Sequence, residues 1–276
     1  MKLLKKYLNS KNGLLETCED AIVFNDHFAG VIDGASSSQM GFGDKSGGKI
    51  ASDIVVAAIG RLPADVKAET AFEEIDQALA NYYRKYGVYE YLRDHPEKRP
   101  AASAAIYSDH YRQIWMVSDC QALVDERLVT NSKKVDDLIA NIRAFLLEFE
   151  LSKGKSIGEI MTREDLIIDT ISALIAKQSA FQNSRFGGEF SYAALDGFLT
   201  DYDTAIRTVN IPPETQVVVL ASDGYPYLLP SLLETENALA SVIEEDPLCF
   251  RRFKSVKGVR PGNISFDDRA YLKFSL

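Results

Sequence analysis

Apolar runs too short for helices come in pairs along this chain, each pair split by a tight turn, and stretches of helical periodicity separate the pairs. Ala21 to Phe24 and Phe28 to Ile32 flank Asn25-Asp26-His27, and Ala101 to Ser108 is followed, after Asp109-His110, by Arg112 to Val117. Such runs around Asn, Asp and Gly are hairpin signals. Between the hairpins, Ile50, Ile54, Val55, Ala58, Ile59 and Leu62 recur at helical spacing, and Phe72, Ile75, Leu79 and Tyr82 repeat it. Val135, Leu138, Ile139, Ile142, Phe145, Leu146 and Phe149 predict a further helix, and Leu166, Ile167, Thr170, Leu174 and Ile175 another. Leu123 to Val129 predicts a third strand beside the second hairpin. Strand signals return at Tyr192 to Leu195, Ala205 to Ile211, Gln216 to Ala221 and Ala270 to Phe274, with a helix over Pro230 to Glu244. This order lacks the strand–helix–strand rhythm of a doubly wound parallel sheet. It predicts an α+β fold: a four-layer αββα sandwich of two antiparallel sheets flanked by helix pairs, one domain over residues 1–276.

Charge narrows the function. The 276 residues carry 31 Lys and Arg against 40 Asp and Glu, a net charge of −9, and an acidic chain without a clustered basic face is a poor general nucleic-acid binder. No apolar run approaches the roughly 18 to 20 residues of a membrane span. The N-terminus, Met1 to Ser10, lacks the uninterrupted apolar core of a secretory signal, so a cytoplasmic protein without a membrane partner is expected. Cys18, Cys120 and Cys249 are too scattered for a disulfide framework or a CxxC zinc site and read as reduced structural thiols.

Acidic residues recur at strand ends: Glu19-Asp20 before the first run, Asp33-Gly34 after the second, Asp223-Gly224 after Val217 to Ala221, and Asp267-Asp268 before the last. Any one Asp-Gly alone reads as a turn. Together they place carboxylates where one rim of a sheet sandwich can gather them, and gathered carboxylates repel one another unless cations bind between them. Hard oxygen ligands favour Mg²⁺ or Mn²⁺ over zinc.

These segments resemble a known family, the metal-dependent protein serine/threonine phosphatases (PPM, or type 2C, class), in a divergent, bacterial-like form. Glu19-Asp20-Ala21 is similar to the family's E-D segment, Phe28 to Gly34 to its apolar strand ending in D-G, and Ala101-Ala102-Ser103-Ala104-Ala105 to its small-residue strand. Val117-Ser118-Asp119 resembles the G-D-S-R turn, Val217 to Gly224 the strand into S-D-G, and Asp267-Asp268 the terminal acidic element. The resemblance implies a hydrolase of phosphoserine and phosphothreonine in phosphorylated protein substrates, using a water activated by two Mg²⁺ or Mn²⁺ ions. By that resemblance Asp33 bridges both ions, Asp223 and Asp267 complete one, and the Gly34 carbonyl with Glu19 holds the other. Asp33 and Asp223 are then the catalytic pair, and Asp119 belongs to a weak or missing third metal site. Ala35 stands where many members carry a His. The position of the family's phosphate-gripping Arg falls near Leu15, with Lys11 the nearest basic residue. These departures keep an alternative open: a weak or inactive relative acting as a binding or regulatory module.

Other motifs carry less. Gly43 to Lys49 matches G-x-x-x-x-G-K, but Ile50 replaces the Ser or Thr of a P-loop, and no strand immediately precedes it, so Gly47-Gly48 is expected to open a helix. Cys249 before Arg251 and Arg252 lacks the glycine-rich loop of a thiolate phosphatase. His27 and His110 are expected to be solvated turn residues, the tyrosines from Tyr82 to Tyr91 a core-to-surface stripe, and Arg251, Arg252, Lys254, Lys257 and Arg260 a loop balancing nearby acids.

Overall fold

The small-residue run Ala101 to Ser108 becomes the strand around which one sheet is built. The computed structural model describes residues 1–35, 45–162 and 165–276. Its strands are β1 (Lys2–Asn9), β2 (Ala21–Phe24), β3 (Phe28–Ala35), β4 (Ala101–Ser108), β5 (Gln113–Val117), β6 (Gln121–Val124), β7 (Arg127–Thr130), β8 (Arg207–Asn210), β9 (Val217–Ala221) and β10 (Arg269–Ser275). Two five-stranded sheets result, ordered β1-β10-β9-β6-β7 and β2-β3-β4-β5-β8, and every pairing is antiparallel. Every residue of β4 is buried, because its two faces meet different layers. Ala102, Ala104 and Ile106 face helices, while Ala105 and Tyr107 face the other sheet.

Between the sheets lie Ala29, Val31, Ala105, Tyr107, Met116, Cys120, Val218, Leu220, Leu272 and Phe274. Full burial of each large aliphatic or aromatic side chain there contributes about 1.5–3 kcal/mol. The outer face of the β4 sheet is covered by α1 (Gly47–Ile59) and α2 (Ala68–Lys85), whose Val55, Ile59, Phe72, Ile75 and Leu79 form the predicted stripes. The stripe continues through fully buried Tyr83, with Tyr82 only partly buried. The outer face of the β9 sheet meets α8 (Leu232–Glu245) and the segment 246–266. A helix group, α4 (Lys134–Ser152), α5 (Ile157–Thr162) and α6 (Asp165–Gln178), packs against that segment rather than directly on the sheet. The four layers are those predicted, with one helix and an irregular segment standing in the second outer layer where a helix pair was expected.

Three local expectations change. Leu123 to Val129 splits into the hairpin β6–β7 and joins the β9 sheet, through Gln121 opposite Ala221, instead of extending the β4–β5 hairpin. Tyr192 and Leu195 make only isolated bridges, to Gln182 and Ala102. The N-terminal segment forms β1, an edge strand on β10 that periodicity does not reveal because most of it is exposed. No helix among the described residues is long and apolar enough to cross a membrane.

Candidate metal centre

Antiparallel pairing brings every predicted acidic segment to one rim. Ala21 pairs with Ile32, so Asp20 precedes β2 beside Asp33; Ala35 pairs with Ala101, and Asp33 lies opposite Ser103. Asp119 sits in the turn between β5 and β6, Asp223 follows β9, and Asp267 and Asp268 lead into β10. His27 and His110 lie in the exposed turns at the opposite end of the same strands, as solvated turn residues, and do not reach the rim.

Close backbone approaches explain the two Asp-Gly pairs. Neither glycine has a positive φ, so neither is there for a left-handed turn. A Cβ on Gly34 would overlap the Gly48 carbonyl oxygen and lie 2.5 Å from that of Glu19; a Cβ on Gly224 would overlap the Asp268 carbonyl oxygen. Gly48, second residue of α1, is as confined: its Cβ would sit 2.6 Å from the Gly34 oxygen and 2.8 Å from Glu19 Oε1. Gly47-Gly48 therefore opens a helix, capped by the Ser46 hydroxyl, which accepts the Lys49 N–H. Gly43 and Asp44 of the P-loop-like run, and the serines after Ala35, lie outside the described residues.

Hydrogen bonds lock the rim. Asp268 accepts the Glu19 N–H at 2.7 Å and the Lys11 N–H at 2.8 Å, so the second Asp of Asp267-Asp268 pins the N-terminal segment. Ser222 accepts the Ala270 N–H at 2.8 Å, and Gln121 donates to the Ser222 and Tyr225 carbonyls, holding the loop that carries Asp223.

At the centre, carboxylate oxygens of Asp33, Asp119 and Asp223 all lie within 4.8 Å of one another. Burial, then the Asp20 carboxylate and more weakly Asp119 and Asp267, raises Asp33 well above the usual carboxylate range. Burial and the Asp33 and Asp119 charges do the same to Asp223. Asp20, 1% exposed, is raised chiefly by burial, and its Oδ2 has no hydrogen-bond partner among the described residues. Asp119 differs. Burial opposes its ionisation, but the Lys133 ammonium at 2.5 Å from Oδ2 and the Ser103 hydroxyl donating to Oδ1 at 2.5 Å hold it below the ordinary range.

Asp267 lies outside that triad and pairs with Lys257 Nζ at 2.5 Å, although its charge still acts on Asp20, Asp33 and Asp223. Lys11 Nζ stands 3.6 Å from Glu19 Oε2 and 4.0 Å from Asp268 Oδ1. Three lysines thus border the acids. Lys133, Ser103 and Gln121 were not singled out from sequence; the only local signal is that Lys133 occupies the N-cap of α4, where Ser, Thr, Asp or Asn is favoured. The basic loop largely behaves as expected, Arg251 pairing with Glu148 and Arg252 with Glu245.

An all-oxygen donor set, an orphaned buried carboxylate oxygen and mutually repelling acids fit hard divalent cations. The thiols do not compete: burial and nearby acids raise Cys120 well above its ordinary value and Cys249 to about 12. A cleft of about 540 Å³ opens beside the triad, lined among others by Ala35, Ser103, Ser118 and Lys133. Another, of about 520 Å³, holds Lys11, Lys257, Arg260 and apolar side chains of α6. A third, of about 890 Å³, lies around 199–205 and is lined by none of the predicted site residues.

No known family profile and no curated protein matches the sequence. Solved structures match in shape. Serine/threonine phosphatase Stp1 from Staphylococcus aureus is 12% identical, with a TM-score of 0.50 over 100% of this chain and 97% of that one. The phosphatase PstP/Ppp of Mycobacterium tuberculosis is 15% identical, with a TM-score of 0.45 over 99% of each chain. The PstP catalytic domain in complex with 2 manganese ions is 15% identical, with a TM-score of 0.47 over 100% of each. At these identities the likeness is one of fold, and the Stp1 comparison carries it. This chain has the fold of a serine/threonine phosphatase, the fold implied by its resemblance to the metal-dependent class.

Proposed function

We propose that this protein is a metal-dependent phosphomonoesterase acting on phosphoserine or phosphothreonine in proteins. The observation that carries the reading is the meeting of Asp33, Asp119 and Asp223 within 4.8 Å at the open end of the inter-sheet core. Asp33, Asp223 and Asp267, with the Gly34 carbonyl and Glu19, are the groups that would hold two Mg²⁺ or Mn²⁺ ions. Bound there, the ions supply an activated water and positive charge for the phosphoryl oxygens. The chain's own part is to hold the acids in place: Ser222, Gln121 and Asp268 tie the strand ends together, and Gly34 and Gly224 let the backbones close. Lys11 is the cation nearest Glu19 and is assigned to attract the substrate anion. Ala35 offers no proton, so the leaving oxygen takes its proton from solvent. Buried thiols with raised pKa values leave no cysteine nucleophile.

One observation favours a second reading, a binding module with little turnover: Lys133 and Lys257 already neutralise Asp119 and Asp267 from within the chain. Purified protein with Mn²⁺, assayed on an aryl phosphate and on phosphoserine peptides, separates the two. The phosphatase reading expects turnover that is lost in Asp33→Ala and in Asp223→Ala. Turnover that survives both substitutions defeats it, and metal binding without turnover on any phosphopeptide leaves the binding module.

A further inference from the structure

Lys133 breaks a local rule. It occupies the N-cap of α4 without any side-chain cap, at the helix end whose dipole disfavours a cation, and directly ahead of Asp136 and Asp137, which suit that end. Residues that break a local rule are expected where the side chain serves something else. Here it turns away from its helix to Asp119, with Nζ 2.5 Å from Oδ2, and is only 15% exposed. The ring of Tyr192 lies 5.2 Å from the ammonium, and Asp136 Oδ2 is 3.9 Å away. Ser103 takes the other oxygen of Asp119, so both oxygens of this carboxylate are engaged by protein donors, whereas Asp20 keeps a buried oxygen without a partner among the described residues.

We infer that Lys133 is a built-in cation of the centre, its ammonium taking the side of Asp119 that an additional divalent ion would otherwise share with Asp223. The inference rests on the proposed two-ion reading and adds to it a reason for the count. A tethered ammonium contributes one positive charge without an entropy cost of capture and leaves Asp33 and Asp223 for divalent ions.

The test counts ions instead of turnover. Full-length protein is dialysed to equilibrium against saturating Mn²⁺, and bound manganese per chain is measured for wild type, Lys133→Met, Lys133→Arg and the double variant Lys133→Met with Asp119→Asn. The expected counts are two for wild type, three for Lys133→Met, two for Lys133→Arg, and two again for the double variant. Three ions on wild type, or two on a folded Lys133→Met, overturn the role of Lys133 while leaving the metal centre intact. No bound manganese on wild type overturns the metal centre itself and this inference with it. Lys133→Gln is the substitute if Lys133→Met does not fold, and the wild-type count tests the claim by itself.

Discussion

Ser118 holds a left-handed backbone conformation, φ +66, immediately before Asp119, and its buried hydroxyl has no hydrogen-bond partner among the described residues. The left-handed conformation costs a non-glycine residue about 1–2 kcal/mol. Ser118→Gly is therefore expected to raise stability by about 1 kcal/mol after the extra unfolded-state freedom of glycine is deducted, read as a higher urea midpoint at unchanged slope. Gly224 makes the opposite case, because its missing Cβ is what admits the Asp268 carbonyl. Gly224→Ala is expected to lose about 3 kcal/mol by overpacking against backbone, and to weaken Mn²⁺ binding by displacing Asp223 from Asp33. Equal stability and equal metal affinity in Gly224→Ala would contradict the packing role assigned to that glycine. At this scale Asp33 and Asp223 stood out in the sequence as Asp-Gly pairs after apolar runs, whereas Asp119 was named only through the family resemblance. Its protein partners were not legible: Ser103 and Lys133 meet Asp119 across strand and loop pairings that no local pattern specifies.

Among the elements, α2 is tied to the 196–199 segment by Asp76, which accepts the N–H groups of Asp196, Gly197 and Leu199. Burial and the neighbouring Asp196 carboxylate push Asp76 up to about 8, with the three backbone donors pulling the other way. A carboxyl whose folded pKa is raised holds a proton that the unfolded chain releases. Its stabilisation is full below the unfolded value of about 4 and is lost as pH rises toward the folded one. Unfolding free energy is thus expected to fall between about pH 4 and pH 8, with a shallower slope in Asp76→Asn; identical slopes would remove Asp76 as the source. Strands with clean apolar or small-residue runs, such as β3, β4, β9 and β10, were readable because burial on both faces suppresses polar residues. The edge strand β1, largely exposed, gave no such pattern. For β6–β7 a strand signal was visible, but neither its folding into a hairpin nor its sheet, which depends on Gln121 pairing with Ala221 a hundred residues away.

For the molecule as a whole, two sheets with antiparallel pairing deliver strand ends from the first 35 residues and the last 60 to one rim, and the acids there repel until cations arrive. On the proposed reading Mn²⁺ would bind only the folded arrangement, so the melting temperature at pH 7 is expected to climb with Mn²⁺ concentration and the climb to vanish in Asp33→Ala. Burial and neighbouring acids raise Asp33 and Asp223 above the usual carboxylate range, and divalent ions bind carboxylates in their ionised form, so affinity is expected to strengthen as pH rises. The most direct measurement is a crystal structure grown with Mn²⁺ and read at the manganese absorption edge. The account predicts anomalous density between Asp33 and Asp223, within coordinating reach of their carboxylates, with Asp267 released from Lys257. Density confined to the surface, with Asp267 still on Lys257 and no ion between Asp33 and Asp223, would contradict it.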